Sequence, residues 1–160
     1  MKNLRQIWRR SRAAVAAVVA IVVVAGGFLM KWDVSDGAVP TDRARVSLGG
    51  QVYNEHCAAC HGVNLEGQPN WRVRKPDGRL PAPPHDETGH TWHHADEQLF
   101  RVTKFGLNSP IAPEGYKSDM PAFATVLTDD EIWAVLSYIQ SKWPDEILDR
   151  RKARAERASQ

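Results

Sequence analysis

The residues best suited to chemistry are the two cysteines of the chain and the histidine that follows them. Cys57 and Cys60 are separated by two alanines, and His61 comes directly after. This Cys-x-x-Cys-His spacing is typical of covalent c-type haem attachment, because two thiols on about one helical turn can each add to a vinyl group of one porphyrin. The next side chain then points toward the ring centre, where an imidazole nitrogen can bind iron. The sequence therefore predicts one covalently bound haem c.

Two other uses of paired cysteines fit the sequence less well. A structural zinc ion needs about four ligands and usually a second Cys or His pair, and the chain has no further cysteine. A thioredoxin-like redox site lies next to a βαβ pattern, and no such pattern surrounds residues 57–61. Haem attachment is the interpretation that the spacing favours.

Met120 is the candidate for the second axial ligand of the iron. Of the three methionines, Met1 and Met30 lie in the N-terminal segment, which leaves Met120 alone in the rest of the chain. Pro121 stiffens the loop around it, and Phe123 is placed to pack beside a porphyrin. Thioether ligation raises the reduction potential, which suits an electron carrier. The alternatives are a methionine that fills a gap in the core, a distal histidine, or an open site.

A loop between these two sites holds an unusual concentration of imidazoles, here called the histidine cluster: His85, His90, His93 and His94. Imidazole binds copper and zinc, so a separate metal site is one interpretation. One of these histidines could instead be an axial ligand of the iron. The favoured interpretation is structural, with the imidazoles bonded to the loop backbone or to haem propionates and Trp92 packed against the haem ring.

Three helices separated by two long loops must position these residues. Small or apolar residues at three- and four-residue spacing predict helices over residues 46–56, 96–105 and 128–143. Prolines and glycines interrupt residues 62–95 and 107–125. Loops of this length are uncommon in a compact domain unless they are functional or disordered. Wrapping a large apolar ligand would explain them.

The N-terminal segment predicts a membrane anchor. Residues 1–12 are basic, and residues 13–30 form an uncharged run of 18 residues, long enough for a transmembrane helix that contacts the lipid bilayer. Because the basic flank stays in the cytoplasm, the remainder should lie outside, joined by a polar linker at residues 31–45. A cleaved signal peptide is the alternative.

The charge distribution adds a constraint on partners. Sixteen of the 21 Lys and Arg residues lie beyond residue 30, together with all 19 Asp and Glu residues. The whole chain is therefore +2, but this larger part is near −3. The basic excess belongs to the membrane segment and gives no indication of a nucleic acid partner. Residues 144–160 are predicted as a charged, solvated and partly helical tail, with contact to a partner or to lipid as the alternative.

The sequence resembles class I cytochromes c, specifically membrane-anchored bacterial ones with a single haem. The resemblance covers residues 46–143 and rests on the Cys-x-x-Cys-His motif, Gly49 and Tyr53 in the first helix, Met120 followed by proline, and a terminal aromatic helix. It implies an all-α, class I cytochrome c fold with long haem-wrapping loops, in addition to the N-terminal transmembrane helix. In that fold the first and last helices cross.

The resemblance also implies contacts and roles for individual residues. At the helix crossing, Gly49 and Tyr53 should meet two residues of the last helix, Val135 and Tyr138. By matching position, the haem is held by thioethers to Cys57 and Cys60 and by the axial ligands His61 and Met120. A proline carbonyl orients the proximal imidazole, and three prolines are candidates: Pro81, Pro83 and Pro84.

The function predicted on these grounds is one-electron transfer rather than catalysis, although the chain could be a subunit of an oxidoreductase complex. The haem domain would lie on the periplasmic side of a bacterial inner membrane, with the N terminus in the cytoplasm. Its partners would be redox proteins such as a respiratory complex, an oxidase or a dehydrogenase. The alternatives are a haem enzyme subunit or sensor with a displaceable sixth ligand, and a copper-handling protein that uses the histidine cluster.

Overall fold

The structure, a computed structural model, describes residues 37–107 and 112–158. The elements of this part are α1 (Arg43–His56), α2 (Ala58–His61), a 3₁₀ turn (Thr91–His93), α3 (Asp96–Phe105), α4 (Asp129–Gln140) and α5 (Asp145–Ala158). These residues contain no β-strand, so the predicted all-α class is confirmed. None of the helices described is long and apolar enough to cross a membrane. The span predicted at residues 13–30 lies outside the described residues.

Helix α1 begins three residues earlier than its apolar pattern predicts. The Asp42 side chain accepts hydrogen bonds from the backbone N–H groups of Ala44 and Arg45, at 3.0 and 3.1 Å. A carboxylate at this position pairs donors that have no partner within the helix. The capping residue, and not the first apolar side chain, therefore sets the start of the helix.

Helices α1 and α4 cross at a glycine, as the resemblance implies. Gly49 lies directly against the Ala134 carbonyl, and a Cβ atom built on Gly49 would also lie 2.9 Å from the Cβ of Tyr138. One turn later, the rings of Tyr53 and Tyr138 are 5.4 Å apart. The predicted crossing and the contact with Tyr138 are confirmed. The residue closest to Gly49 is Ala134 and not its neighbour Val135, which the resemblance implied. Only glycine allows the two backbones to approach this closely.

Helix α4 has the N-terminus that its sequence predicts and an earlier end. Thr128 and Glu131 form a capping box, each side chain accepting from the backbone N–H of the other residue. The helix ends at Gln140, three residues before the predicted limit. The N–H groups of Lys142 and Trp143 bond three residues back, which tightens the chain ahead of the following proline.

Helix α5 is an ordered part of the domain. Ile147 is buried on its inner side, and Leu148 packs against the core. Arg151 and Arg154 donate hydrogen bonds to backbone carbonyls of the 3₁₀ turn and the residues beside it, at 2.6 to 2.7 Å. The helical part of the tail prediction is confirmed, but the prediction of a solvated tail is wrong for this inner face.

Candidate haem site

The two cysteines and the histidine lie together where α1 passes into α2. The N–H of Cys57 bonds to the Tyr53 carbonyl, and the N–H of His61 bonds to the Cys57 carbonyl, both at 2.9 Å. The motif is therefore wound into a single turn, with both cysteines as free thiols. Burial, and secondarily the charge of Cys60, raises the pKa of the Cys57 thiol to about 11. Cys57 is thus a neutral thiol near pH 7, while Cys60 is exposed.

His61 has the orientation and the charge state that an axial ligand needs. Its side chain is 7% exposed, and Nδ1 lies 2.9 Å from the carbonyl oxygen of Pro83. Because a carbonyl only accepts, Nδ1 must carry the proton and donate, which leaves Nε2 with its lone pair. Burial lowers the pKa of His61 below 6.5, although the bond to Pro83 opposes this shift. The imidazole is therefore neutral at pH 7.

Pro83 is the proline that contacts this imidazole, among the three that the sequence left open. Its segment is seated on Gly67, which has a φ of +68°, and a Cβ built there would lie 2.7 Å from the Pro83 carbonyl carbon. The N–H of Gly67 also bonds to the His61 carbonyl at 2.7 Å, and the N–H of Gln68 bonds to the Ala82 carbonyl at 2.9 Å. Gly67 therefore holds the proline segment at a fixed distance from His61.

Met120 lies in a loop that α3 anchors. The methionine is partly buried against the core, and its N–H donates to the Ser118 hydroxyl at 3.0 Å. A Cβ built on Gly106, the residue that ends α3, would lie 3.2 Å from the Met120 carbonyl oxygen. The N–H of Ala124 bonds to the Lys104 carbonyl at 2.9 Å. Backbone contacts at Met120 and on its C-terminal side, together with the bond to the Ser118 hydroxyl, thus define the position of the loop.

Two loops meet at Asp119, beside Met120. The Asp119 carboxylate lies 2.9 Å from Arg79 Nε and 3.3 Å from Lys75 Nζ. Arg79 Nε is buried and, although it lies at ion-pair distance from this carboxylate, it makes no hydrogen bond within the part of the chain that the structure describes. A buried donor of this kind is suited to an anionic group such as a haem propionate.

The histidine cluster does not converge on one point. His90 stacks on Trp71 with ring centroids 5.3 Å apart, and His93 stacks on Trp92 at 3.7 Å. His94 meets His90 edge-on at 5.3 Å. Within residues 37–107 and 112–158, no group of three or more His, Cys, Asp or Glu side chains could hold a metal ion. The arrangement therefore gives no support to a separate copper or zinc site formed by all four histidines.

His85 differs from the rest of the cluster because it lies against His61. The two rings are stacked with centroids 4.0 Å apart and planes 20° from parallel. His85 Nδ1 lies 2.8 Å from the Thr91 hydroxyl oxygen, and the Trp143 indole N–H donates to the His85 carbonyl at 2.7 Å. Burial, and then repulsion from the charge that His61 and His90 would carry if protonated, lowers the pKa of His85 well below 6.5. A neutral imidazole is thus packed directly beside the predicted ligand.

Sequence reasoning missed Arg79, Thr91 and Trp143 as parts of this site. Arg79 and Thr91 lie in the loop without regular pattern, and nothing in their spacing links them to the haem motif. Trp143 was predicted only as the end of a helix, but its indole reaches back 58 residues to His85. The one sequence feature that could have indicated this contact is the position of Trp143, an aromatic residue directly before Pro144.

An all-helical domain that presents two free thiols and a buried, neutral imidazole on one turn is a covalent haem-binding domain of the c type. The residues present fit the group, since the two thiols match its vinyl groups and the free Nε2 of His61 matches its iron. The family model described as Cytochrome c matches residues 46–143. The chain belongs to the cytochrome c family, and this membership implies a covalently bound haem c.

Comparison with characterised proteins adds one relative. The Cbb3-type cytochrome c oxidase subunit FixP of Sinorhizobium medicae is 24% identical over 96 residues, which are 60% of this chain and 29% of that protein. The chain thus corresponds to less than a third of the length of this relative. No solved structure matches the chain.

Proposed function

We propose that the protein transfers single electrons through a covalently attached haem c whose iron is bound by His61 and Met120. The observation that carries the proposal is the state of His61, which is buried and neutral, with Nδ1 on the Pro83 carbonyl and Nε2 free. Met120 supports it as the only methionine beyond residue 30, in a loop anchored on α3.

Each residue of the site has a distinct part in this function. Cys57 and Cys60 would hold the group through two thioether bonds. The Pro83 carbonyl orients His61 and raises the basicity of its Nε2. The Met120 thioether closes the sixth position and favours ferrous iron. Bound haem c supplies a reversible one-electron change at its iron.

The packing of the domain suits electron transfer because backbone contacts hold the segments that carry Pro83 and Met120. Gly67 seats the segment that carries Pro83, and Gly106 lies against the backbone of Met120. Both axial ligands are thereby attached to rigid backbone contacts. When the geometry changes little between the ferric and ferrous states, the reorganisation energy of electron transfer is small. An electron carrier requires a small reorganisation energy.

The location and partners proposed for the protein rest on the sequence and on the relative. The basic residues 1–12 and the apolar residues 13–30 favour a single-pass anchor in a bacterial inner membrane with the haem domain on the periplasmic side. The similarity to an oxidase subunit favours a respiratory complex, an oxidase or a dehydrogenase as redox partner. Such encounters are expected to use a small, transient interface.

The test of ligation compares two methionine variants of the full-length, haem-loaded protein. Oxidised wild-type protein should show the weak far-red absorption band of methionine-ligated haem. Met120→Leu should lose this band and lower the midpoint potential, whereas the matched variant Met30→Leu should retain both. A high-spin wild-type spectrum, or a band that survives in Met120→Leu, would overturn the proposed ligation.

Attachment and location have separate tests. Cys57→Ser and Cys60→Ser should each reduce the haem that stays with the chain on a denaturing gel, and full retention in both would contradict the motif assignment.

For location, a reporter enzyme that is active only outside the cytoplasm is fused after residue 160. Activity in the membrane fraction is expected, and an inactive fusion would refute the topology. A soluble, shortened product would favour the cleaved signal peptide.

A further inference from the structure

The ring of His61 is held on two sides by neighbouring residues of one segment. At its edge, Nδ1 donates to the Pro83 carbonyl at 2.9 Å. On its face, the His85 ring is stacked at 4.0 Å and 20° from parallel. A single hydrogen bond fixes one point of the imidazole and still lets its plane rotate about that point. A flat ring in van der Waals contact restricts this rotation.

His85 is itself held in place by bonds to three different parts of the chain. Its N–H donates to the Leu65 carbonyl and its carbonyl accepts from Trp143 Nε1, both at 2.7 Å. Its Nδ1 lies 2.8 Å from the hydroxyl oxygen of Thr91. Because backbone and side chain are both fixed, the His85 ring is a rigid surface.

Thr91 links this stack to the proline segment. Thr91 is 5% exposed, and its hydroxyl lies 3.4 Å from the Pro84 carbonyl oxygen. A hydroxyl has one proton, so donation to Pro84 leaves it to accept from His85 Nδ1–H. The same short segment therefore supplies the carbonyl that binds His61, the carbonyl that binds Thr91, and the stacked ring.

We propose that His85 is a positioning residue that sets the plane of the His61 imidazole, and through it the electronic structure of the haem. The proposal rests on the proposed function, because it assumes that His61 Nε2 binds the iron. The orientation of an axial imidazole decides which iron orbital it overlaps, and hence how unpaired spin is distributed over the porphyrin. Neighbours that orient a ligand in this way also tune the potential.

The experiment measures haem-methyl signals by proton NMR of the oxidised, full-length protein, together with its midpoint potential. His85→Leu should change the order or the spread of the hyperfine-shifted methyl signals and shift the potential, while the far-red band remains. The matched control is His93→Leu, because His93 is also stacked on an aromatic ring but lies against Trp92 and not His61. It should keep the wild-type pattern.

A second pair of variants, at Thr91, distinguishes a positioning role of His85 from a general packing role. The same pair tests the positioning role if His85→Leu retains no haem. Thr91→Val keeps the shape and removes the bond to His85, so it should shift the methyl signals in the same direction as His85→Leu by a smaller amount. Thr91→Ser keeps the hydroxyl and should restore the wild-type pattern.

The outcomes distinguish this inference from the proposed function. If the far-red band is intact, an unchanged methyl pattern in His85→Leu would overturn the positioning role. Where His85→Leu retains no haem, an unchanged pattern in Thr91→Val would overturn it. Equal shifts in Thr91→Ser and Thr91→Val, or an equal shift in His93→Leu, would overturn it as well. A wild-type protein without the far-red band would instead refute methionine ligation, which is the separate proposal.

Discussion

Gly106→Ala is expected to disturb the loop that carries Met120, since Gly106 is confined in two ways. Its backbone has φ +71° and ψ −177°, a region that is essentially restricted to glycine. A Cβ built there would also lie 3.2 Å from the carbonyl oxygen of Met120 and 3.3 Å from the carbonyl carbon of Pro121. These neighbours are backbone atoms, so they cannot rotate away as a side chain would.

The expected loss follows from these two effects. The backbone conformation costs alanine about 1–3 kcal/mol, and crowding of the loop adds about 1 kcal/mol or more. We therefore expect Gly106→Ala to lower the free energy of unfolding by about 2–4 kcal/mol. The matched control is Gly115→Ala, where φ is +76° but nothing lies within 4 Å of the added Cβ. That variant should lose only about 1–2 kcal/mol.

The assay is urea unfolding of both haem-loaded variants beside wild-type protein, followed by circular dichroism, together with the far-red spectrum of each. Gly106→Ala should also weaken the methionine band, because relief of the crowding moves Met120 away from its position. Equal losses in the two variants would show that crowding against Met120 does not matter. A stable Gly106→Ala protein would refute both parts of the reasoning.

Three further predictions concern the helices that hold the site. Gly49→Ala should destabilise the protein by about 1–3 kcal/mol relative to Gly50→Ala, because only a Cβ at residue 49 would push α1 away from the Ala134 carbonyl. Denaturant unfolding of both variants measures this difference. Both substitutions gain the same helix propensity, so that gain cancels in the comparison. Thr128→Ala should cost about 0.5–2 kcal/mol through loss of the capping box, measured in the same way. Arg151→Met should cost about 2–3 kcal/mol, because its guanidinium donates to the carbonyls beside the 3₁₀ turn, and hydrogen exchange should increase there.

Each of these predictions has a result that contradicts it. Equal stability of the two glycine variants would mean that the helix crossing can widen without cost. No change in Thr128→Ala would show that water replaces the cap. For Arg151, the control is Arg150→Met on the exposed side of α5, which should be neutral. An equal effect of both substitutions would mean that the loss reflects the helix itself and not its docking.

Much of the helical framework could be predicted because it depends on local chemistry. Helix α3 begins and ends where the apolar spacing and the terminal glycine predict, at Asp96 and Phe105. The capping box of α4 follows from Thr128 and Glu131 alone. The errors lie at helix ends, where Asp42 extends α1 and a tightened turn shortens α4. The sequence did not predict that α5 packs on the domain, because Arg151 of α5 bonds to backbone carbonyls that lie more than 50 residues away along the chain.

The sequence by itself predicted the chemistry that is proposed for this protein. Two cysteines and a histidine at fixed spacing indicate covalent haem attachment, and a single methionine beyond residue 30 restricts the choice of a sixth ligand. These conclusions need only residue types and distances along the chain, since the motif folds as one helical turn. Membership of the cytochrome c family agrees with them.

The tertiary structure alone decided how the predicted ligand is held. Three prolines were equivalent in the sequence, and only the path of the loop over Gly67 selects Pro83 as the partner of His61. Four histidines formed one cluster along the chain, but folding places His85 on His61 while His90 stacks on Trp71 and His93 on Trp92. The reason is physical: ring stacking and hydrogen bonds between distant loops depend on three-dimensional distance, which residue spacing in an irregular segment does not encode.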